Sequence, residues 1–302
     1  MSLPVDIPLD QFRVEPGSSF DLAAQDTAWM GTPEMQDLGE KKLKKAAKKF
    51  LKERIEELAD AQERLYADDK HSLLLIFQAR DAAGKDSTIK HVMSGVNPQG
   101  CQVHSFKAPS KEELDHNYLW RCWKAMPERG RIGIFNRSYY EEVLVVRVNP
   151  GILDGQKLPD GCRTDDIWAE RFEDINAFEK HMTRNGTTIL KFFLNVSREE
   201  QRQRFLARLN EPEKHWKFSN SDMAVRADWD KYTEAYEDMV RHTSTASAPW
   251  YVIPADHKPV MRALVSLITS RTLNGLDLKF PEVGEEEKSR FAAARAQLEA
   301  EA

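Results

Sequence analysis

The stretch SLLLIFQARDAAGKDST, residues 72–88, decides the fold. Its first half, Leu73 to Phe77, is a continuous apolar run of the kind found in strands that are buried on both faces. Its second half carries Gly84 and Lys85 where a turn should lead into a helix. Backbone N–H groups at a helix N-terminus point outward and bind phosphate oxygens. The stretch therefore predicts a strand, a phosphate-binding loop and a helix, and we call residues 81–85 the phosphate loop.

The phosphate loop departs from the usual pattern GxxxxGK[ST]. Ala79 stands at the first glycine position, and Asp86 stands where Ser or Thr normally binds magnesium. Gly84 and Lys85 match the pattern. We predict that Lys85 is catalytic and that the phosphate contacts of this segment come from Ala82, Ala83, Gly84, Lys85, Asp86 and Ser87.

Asp81 adds a negative charge to a loop that should hold phosphates. A carboxylate among phosphates implies a cation between them, and hard oxygen ligands suit Mg²⁺. We therefore predict Asp81 as a magnesium ligand and as a catalytic residue. The alternative is that Asp81 caps the helix at Ala82 or Ala83, because Asp is a favourable N-cap residue.

Strands and helices alternate after residue 72, which predicts a doubly wound, mainly parallel sheet of five strands. A helix with an apolar stripe is predicted before it, from Met35 to about Asp68. The predicted strands are 72–78, 102–108, 132–136, 187–197 and 249–254. The predicted helices between and after them are 84–95, 111–126, one beginning near Ser138, 165–185, 198–209, 222–243 and 258–273. Residues 149–164 read as a surface loop.

A second group of polar residues follows the predicted strand Ile132–Phe135. Ligands bind at the carboxyl ends of strands in open α/β sheets, so Asn136, Arg137 and Glu141 should face the phosphate loop. Asn136 can ligate or orient a hydrated magnesium ion, and the planar guanidinium of Arg137 suits phosphoryl oxygens. Glu141 can approach the acceptor phosphate or its metal. The alternative for Arg137 and Glu141 is a surface ion pair.

Composition narrows the class of protein. The formal net charge of −5 argues against general nucleic-acid binding, which shows as a basic excess. The first residues, MSLPVDIPLDQF, contain no apolar run typical of a secretory signal, and the three cysteines lack the spacing of a zinc site. We expect a cytoplasmic protein that binds neither nucleic acid nor membrane. The lysine-rich run KKLKKAAKKFLK, residues 41–52, is typical of a solvated helix face, with a membrane-surface role as the alternative.

Four segments in order resemble the polyphosphate kinase 2 family. They are DAAGKDS, FNRSYYE, RLNEPEKHWKFS and TSTASAPWYVIPADHK, and the similarity runs from about residue 35 to 275. The resemblance implies a three-layer α/β/α P-loop kinase-like core with a helical lid. It also implies phosphate transfer between inorganic polyphosphate and AMP, ADP or ATP, with Mg²⁺, or Mn²⁺ in its place, as the cofactor. A homo-oligomer, either a dimer or a tetramer, is implied as well.

Composition and periodicity divide the chain into an arm, a domain and a tail, and the resemblance adds a lid. Residues 1–34 are predicted to be an irregular arm, 35–281 a single domain with its lid at about 198–221, and 282–302 a charged tail. The lid cations predicted to contact phosphate are Arg204, Arg208, Lys214 and Lys217. Asn136 differs from the Asp of many members and Glu141 replaces their Asn, a combination that looks like the subgroup accepting both AMP and ADP. Asn136 is kept as a metal residue, although its difference from Asp weakens that assignment.

Two rival functions share this sequence pattern. An ATP-dependent nucleoside monophosphate kinase of the thymidylate-kinase type has the same core and a lid. A P-loop module that binds without catalysis is the other. The internal Asp81 and the single glycine of the phosphate loop favour a metal-bridged polyanion over the monophosphate kinase. The many charged candidates at the ends of separate strands argue against a module that only binds.

Overall fold

The computed structural model describes residues 7–301, and its centre is a five-stranded parallel sheet. The strands are β1 (Ser72–Ala79), β2 (Cys101–Ser105), β3 (Ile132–Asn136), β4 (Thr187–Asn195) and β5 (Trp250–Pro254). Their spatial order is β2-β3-β1-β4-β5, and every neighbouring pair is parallel. The predicted five-stranded parallel sheet is confirmed.

Twelve α-helices surround the sheet within residues 7–301. They are α1 (Pro33–Gln36), α2 (Glu40–Asp68), α3 (Lys85–Val92), α4 (Lys111–Leu114), α5 (Trp120–Trp123), α6 (Val145–Val148), α7 (Ile167–Arg184), α8 (Arg198–Asn210), α9 (Asn220–Ala227), α10 (Trp229–Thr243), α11 (Lys258–Asn274) and α12 (Glu285–Ala300). None of these helices has both the length and the apolar character needed to cross a membrane.

Strand β1 divides the core into two layers, because its alternate side chains point to opposite faces. All eight residues of β1 are buried. Leu73, Leu75 and Phe77 pack in one cluster with α2, α3 and α11, whereas Leu74 and Ile76 pack in another with α7 and α10. The predicted three-layer α/β/α architecture is therefore confirmed.

The strand register brings the two predicted site segments together. Phe77 of β1 is paired with Asn136 of β3. The Arg137 amide then donates a hydrogen bond to the Phe77 carbonyl at 3.1 Å. The chain segments that leave the carboxyl ends of these neighbouring strands consequently start side by side.

Three predicted helices are broken in the structure. The predicted helix 111–126 is instead α4 and α5, because the Asn117 side chain accepts a hydrogen bond from the Leu119 amide at 3.1 Å and forms a local turn that competes with the helix. A 3-10 helix, Tyr139–Val143, and the short α6 follow Ser138, whose hydroxyl accepts from the Tyr140 amide at 3.2 Å. Residues 222–243 divide into α9 and α10 at Asp228.

The predicted arm packs against the sheet, whereas the predicted tail is exposed. A 3-10 helix, Leu9–Phe12, begins the described arm, and the Val14 amide donates to the Trp250 carbonyl at 2.9 Å, which covers the edge of β5. The tail forms α12, in which no residue is buried. Residues 149–164, predicted as a loop, contain the 3-10 helices Pro150–Gln156 and Asp160–Cys162. Residues 1–6 and residue 302 lie outside the described residues.

Candidate active site

The phosphate loop turns sharply between β1 and α3. Ala82 has a φ of 62° and Gly84 a φ of 111°, both in the left-handed region. Alternation of this kind directs successive N–H groups toward one concave side, which is how loops bind phosphate. The Ala83 amide is already used in a hydrogen bond to the Arg80 carbonyl at 3.2 Å. The Ser87 hydroxyl donates to the Gly84 carbonyl at 2.9 Å.

Helix α8 holds the phosphate loop from behind. The Gln201 amide donates to the Asp81 carbonyl at 2.9 Å. Arg204 is 8% exposed, and all five of its N–H donors have an acceptor within hydrogen-bonding distance. These acceptors are the Ala82 carbonyl at 3.0 Å, the Ala83 carbonyl at 2.7 Å, the Ala255 carbonyl at 2.7 Å, the Asp256 carbonyl at 3.1 Å and Glu200 Oε1 at 2.7 Å.

This position of Arg204 differs from the predicted one, in which it contacts phosphate from a lid. The guanidinium binds the carbonyl side of the loop, so the opposite side carries the N–H groups. Gln201 was missed at the sequence level, although its spacing of three from Arg204 places both on one face of α8. In the structure, Gln201 and Arg204 position the loop.

Lys85 is the first residue of α3 and is only 9% exposed. Its Nζ donates to the Ala79 carbonyl at 2.9 Å, which folds the side chain back over the loop. Burial lowers the pKa of Lys85, and the nearby Arg137 lowers it further, while Asp81 and Glu141 act in the opposite direction. An anionic phosphate beside this partly desolvated ammonium group would stabilise its charged form.

Asp81 binds Arg137 instead of capping the helix. Arg137 Nη2 lies 2.9 Å from Asp81 Oδ1. Helix α3 has Gly84 as its N-cap and no side chain in the capping role, so the capping alternative for Asp81 is wrong. The ion pair predicted as an alternative for Arg137 is present, and it joins the phosphate loop to the end of β3.

The Arg137 backbone is also unusual, because a non-glycine residue with a φ of 64° is strained by about 1–2 kcal/mol. Burial acts to lower the pKa of Arg137, but the carboxylates of Glu141 and Asp81 outweigh it and raise the pKa. Arg137 Nη1 lies 4.0 Å from Glu141 Oε2. The guanidinium therefore stays charged beside Asp81 of the phosphate loop.

Glu141 is 15% exposed and lies against the same cations. The Gln78 amide, in the orientation that satisfies its neighbours, donates to Glu141 Oε1 at 2.9 Å. Burial raises the pKa of Glu141, and Arg137 and Lys85 only partly counter the effect. Its buried surroundings therefore disfavour the charged form of this carboxyl group.

Asn136 and Asp86 form the other polar contact of the site, because Asn136 Nδ2 donates to Asp86 Oδ1 at 2.8 Å. Within residues 7–301 there is no group of three or more His, Cys, Asp or Glu side chains arranged for a metal ion. Mg²⁺ is usually held by one or two carboxylates together with substrate phosphates and water. The oxygen donors of Asp81, Asp86 and Asn136 are suitable in type.

The other predicted lid cations lie in α8 and in the 3-10 helix Pro212–Lys217. Arg208 Nη1 bonds within the lid region, to the Lys217 carbonyl at 3.1 Å and to Asp222 Oδ2 at 3.2 Å. Lys214 forms an ion pair with Glu211, and the Lys217 ammonium lies 5.0 Å from the centre of the Trp216 ring. Their contact with phosphate stays a prediction.

We expect Glu141→Gln to stabilise the ligand-free protein. A carboxyl group whose pKa is raised in the folded state stabilises the fold below its ordinary pKa, and that stability is lost as the pH rises through the raised pKa. Glutamine has no such loss. Thermal unfolding should be followed from pH 5 to pH 8. The melting temperature of the variant should rise relative to that of the wild type as the pH increases, by up to roughly 2–4 °C, which corresponds to about 1 kcal/mol.

The neighbouring Glu142 provides the control for that measurement. Glu142 Oε2 lies 3.0 Å from Arg171 Nη1, and both side chains are almost fully buried. Glu142→Gln leaves Arg171 without its charge partner, so it should lower the melting temperature, since breaking a buried pair costs about 3–5 kcal/mol. If both glutamine variants lower the melting temperature equally, the interpretation of Glu141 is wrong.

A family model described as Polyphosphate kinase 2 matches residues 41–280. The ADP-polyphosphate phosphotransferase of Rhodopseudomonas palustris is 50% identical over 250 residues, which cover 82% of this chain and 86% of that protein. The AMP/ADP-polyphosphate phosphotransferase of Meiothermus ruber is 44% identical over 274 residues, covering 91% of this chain and 96% of that protein.

A solved structure agrees with the sequence matches. The crystal structure of Polyphosphate Kinase 2 from Arthrobacter aurescens superposes with a TM-score of 0.85 at 38% identity, and the match covers 100% of this chain and 99% of that one. The resemblance predicted from the four motifs is thereby confirmed over nearly the whole length. The chain belongs to the polyphosphate kinase 2 family.

Proposed function

We propose that this protein is a polyphosphate-dependent nucleotide kinase that transfers phosphate from inorganic polyphosphate to AMP and to ADP, giving ADP and ATP. The observation that carries the proposal is the Asp81–Arg137 pair at 2.9 Å, which joins a phosphate loop to a second cationic segment. The activities named for the relatives from Rhodopseudomonas palustris and Meiothermus ruber support it.

The donor end of the site is the phosphate loop. Terminal phosphates of polyphosphate bind the free loop amides and the Lys85 ammonium, which then exchanges its contact with the Ala79 carbonyl for one with phosphate. Three carboxylates, on Asp81, Asp86 and Glu141, lie near Lys85 and influence its pKa. Mg²⁺ would be held by Asp81 with Asn136 or Asp86, and when bound it would neutralise charge on the phosphates.

Arg137 lies between the donor and the acceptor. A phosphate oxygen of AMP or ADP attacks the terminal phosphorus of polyphosphate, the bond from that phosphorus to its bridging oxygen breaks, and a chain one phosphate shorter leaves. Arg137 and Lys85 stabilise the charge that spreads over the transferring group. The nucleotide phosphate is largely ionised at neutral pH, so the reaction needs no strong general base.

Glu141 is assigned to the acceptor side. Its carboxylate lies close to Arg137 and can order the guanidinium or a metal-bound acceptor phosphate. The presence of Glu141 together with Asn136 is the basis for proposing that both AMP and ADP are accepted. The relative from Meiothermus ruber, which is named for both acceptors, supports this assignment.

The proposal is tested by incubating the purified protein with Mg²⁺, AMP and long-chain polyphosphate in the absence of ATP. Separation of the nucleotides by anion exchange should show ADP first and ATP after it, because ADP formed in the first transfer becomes the acceptor of the second. Product that appears only when ATP is the donor would instead favour a nucleoside monophosphate kinase of the thymidylate-kinase type.

Several expectations remain predictions. The division into arm, single domain and tail, the homo-oligomeric state and the cytoplasmic location fall in this class. The cysteines Cys101, Cys122 and Cys162 are all free, which suits a reducing compartment. The absence of nucleic-acid and membrane partners is likewise still a prediction.

A further inference from the structure

A group of polar side chains in the core has no part in the proposed function. It lies in the layer between the sheet and helices α7 and α10, among apolar and aromatic side chains. Two of its members carry charge, Glu179 on α7 and Lys191 on β4, and each member is at most 1% exposed. We call this group the buried anchor: Tyr139, Tyr140, Glu179 and Lys191.

The polar atoms of the buried anchor bind one another. Glu179 Oε1 accepts hydrogen bonds from the Tyr139 hydroxyl at 2.8 Å and the Tyr140 hydroxyl at 2.7 Å. Glu179 Oε2 accepts from Lys191 Nζ at 2.6 Å. The other two Lys191 donors reach the Tyr140 hydroxyl at 2.9 Å and the Thr243 carbonyl at 2.6 Å. Such a network fixes its members in one arrangement, because another would leave a buried polar group unpaired.

Stability alone does not account for the charged pair of the anchor. Burial lowers the pKa of Lys191, and the attraction of Glu179 offsets only part of that effect, so the charged form of the lysine is disfavoured. Apolar residues of similar volume in place of a buried ion pair often leave the stability of a protein unchanged or increase it. The pair therefore points to a role in arrangement, and what it arranges is two adjacent tyrosines.

The two tyrosines begin the 3-10 helix that carries Glu141. A 3-10 helix has about three residues per turn, so neighbouring side chains point in directions about 120° apart. With Tyr139 and Tyr140 both held in the core, the next side chain, Glu141, is left on the remaining side of the helix. Glu141 Oε2 lies 4.0 Å from Arg137 Nη1 on that side. The anchor thereby sets the direction of Glu141.

The residue before this helix, Arg137, needs support on both sides. Its φ of 64° is a strained conformation, which persists only where the surrounding structure fixes it. On one side, the Arg137 amide donates to the Phe77 carbonyl at 3.1 Å. On the other side, the Ser138 hydroxyl accepts from the Tyr140 amide at 3.2 Å, and the Tyr140 hydroxyl is held by the anchor. Loosening Tyr140 would therefore remove one of the two supports of Arg137.

Building on the proposed function, we propose that the buried anchor positions residues 137–141 for phosphate transfer. Glu179 and Lys191 act through the two tyrosines and are positioning residues. They keep the Arg137 guanidinium and the Glu141 carboxylate in the one arrangement in which both meet the transferring group. The phosphate loop is held separately by α8, so the anchor affects the transfer step and not the binding of polyphosphate.

The test uses variants that keep the volume of the core. Tyr140→Phe removes one hydroxyl from the anchor, and Y139F/Y140F/E179L/K191M removes all its polar side-chain groups without leaving a charge unpaired. The control is Thr187→Val, which removes a buried hydroxyl that bonds with Ser72 at 3.0 Å where β1 and β4 begin, at the end of the sheet away from the site. The kcat and KM are measured well below the lowest melting temperature of the set. Hydrogen exchange of the amides of residues 137–143 is followed by mass spectrometry without substrates.

The kcat should fall by roughly tenfold in Tyr140→Phe and by about 100-fold in the quadruple variant, the loss expected when reacting groups are slightly misplaced. The KM for polyphosphate should stay at the wild-type value in both. The amides of residues 137–143 should exchange faster, because the segment opens more often. Thr187→Val should change neither kcat nor this exchange. If the quadruple variant does not fold, Tyr140→Phe decides alone.

A purely structural anchor would give a different result. Its variants would have a changed melting temperature but a wild-type kcat, which would overturn the positioning role and leave the proposed function standing. An equal loss of kcat in Thr187→Val would also overturn it, because the effect would then follow general destabilisation. If the wild type transfers no phosphate, the proposed function fails and hydrogen exchange decides the inference. Faster exchange of residues 137–143 in the anchor variants would then support the positioning role, and unchanged exchange would overturn it.

Discussion

Replacing Lys85 with alanine should reduce kcat for phosphate transfer from polyphosphate by roughly 10²–10³-fold, the loss seen when one donor to a developing oxyanion is removed. The Lys85 ammonium is buried and donates a hydrogen bond to the Ala79 carbonyl, a neutral acceptor, at 2.9 Å. A phosphate oxygen supplies the negative charge that this position lacks. Steady-state kinetics with saturating polyphosphate and nucleotide give the value directly.

Lys85→Met separates the charge from the packing. Methionine keeps most of the volume and removes the buried charge, whose pKa burial lowers in the wild type. The melting temperature of Lys85→Met should therefore equal or exceed that of the wild type, while its kcat falls as far as that of Lys85→Ala. Near wild-type turnover in either variant would remove Lys85 from the mechanism.

The elements around Lys85 were predictable because their signals are local. Five consecutive apolar residues, Leu73 to Phe77, predict β1. The strand Ile132–Asn136 has the same bounds in the structure as in the prediction. A strand buried on both faces needs a continuous apolar run, and the short length of this one favours a strand over a buried helix. Because the strands are parallel, the phosphate loop after β1 and the segment after β3 then lie at the same edge of the sheet.

The predictions that were wrong concern contacts between groups that are distant in sequence or that compete with a helix. Asn117 breaks the predicted helix 111–126 through a side-chain hydrogen bond that helical periodicity does not report. Arg204 and Arg208 share a helix face by spacing, yet Arg204 turns to the loop carbonyls and Arg208 to Asp222. Helical spacing gives the face of a residue but not the partner that the face meets.

The sequence position of Asp81 in the phosphate loop likewise did not identify its partner. Its sequence position allowed a magnesium ligand or a helix cap, and only the start of α3 at Lys85 decides against the cap. The free carboxylate oxygen of Asp81 is then available to a cation while the other oxygen binds Arg137. Its assignment to Mg²⁺ is a proposal that mutation can test.

Asp81→Asn should raise the Mg²⁺ concentration that gives half-maximal activity by about 10–100-fold, the range found when groups that support a metal site are changed. The amide keeps the size of the side chain but loses the charge that binds the cation and Arg137. Because Asp81 caps no helix and its ion pair with Arg137 is partly exposed, the melting temperature of the variant should fall by little. Activity measured across a Mg²⁺ titration at fixed polyphosphate reports the change.

Asp86→Asn is the matched variant, since Asp86 occupies the position where Ser or Thr normally meets magnesium and accepts a hydrogen bond from Asn136 at 2.8 Å. A larger shift in Mg²⁺ requirement for Asp86→Asn than for Asp81→Asn would move the metal toward the Asn136 side of the site. Unchanged Mg²⁺ requirement and kcat in Asp81→Asn would leave Asp81 only as the partner of Arg137. The cation would then be held by the substrate phosphates alone, and Lys85 and Arg137 would have to offset the carboxylates of Asp81 and Glu141 without help from a metal ligand in the loop.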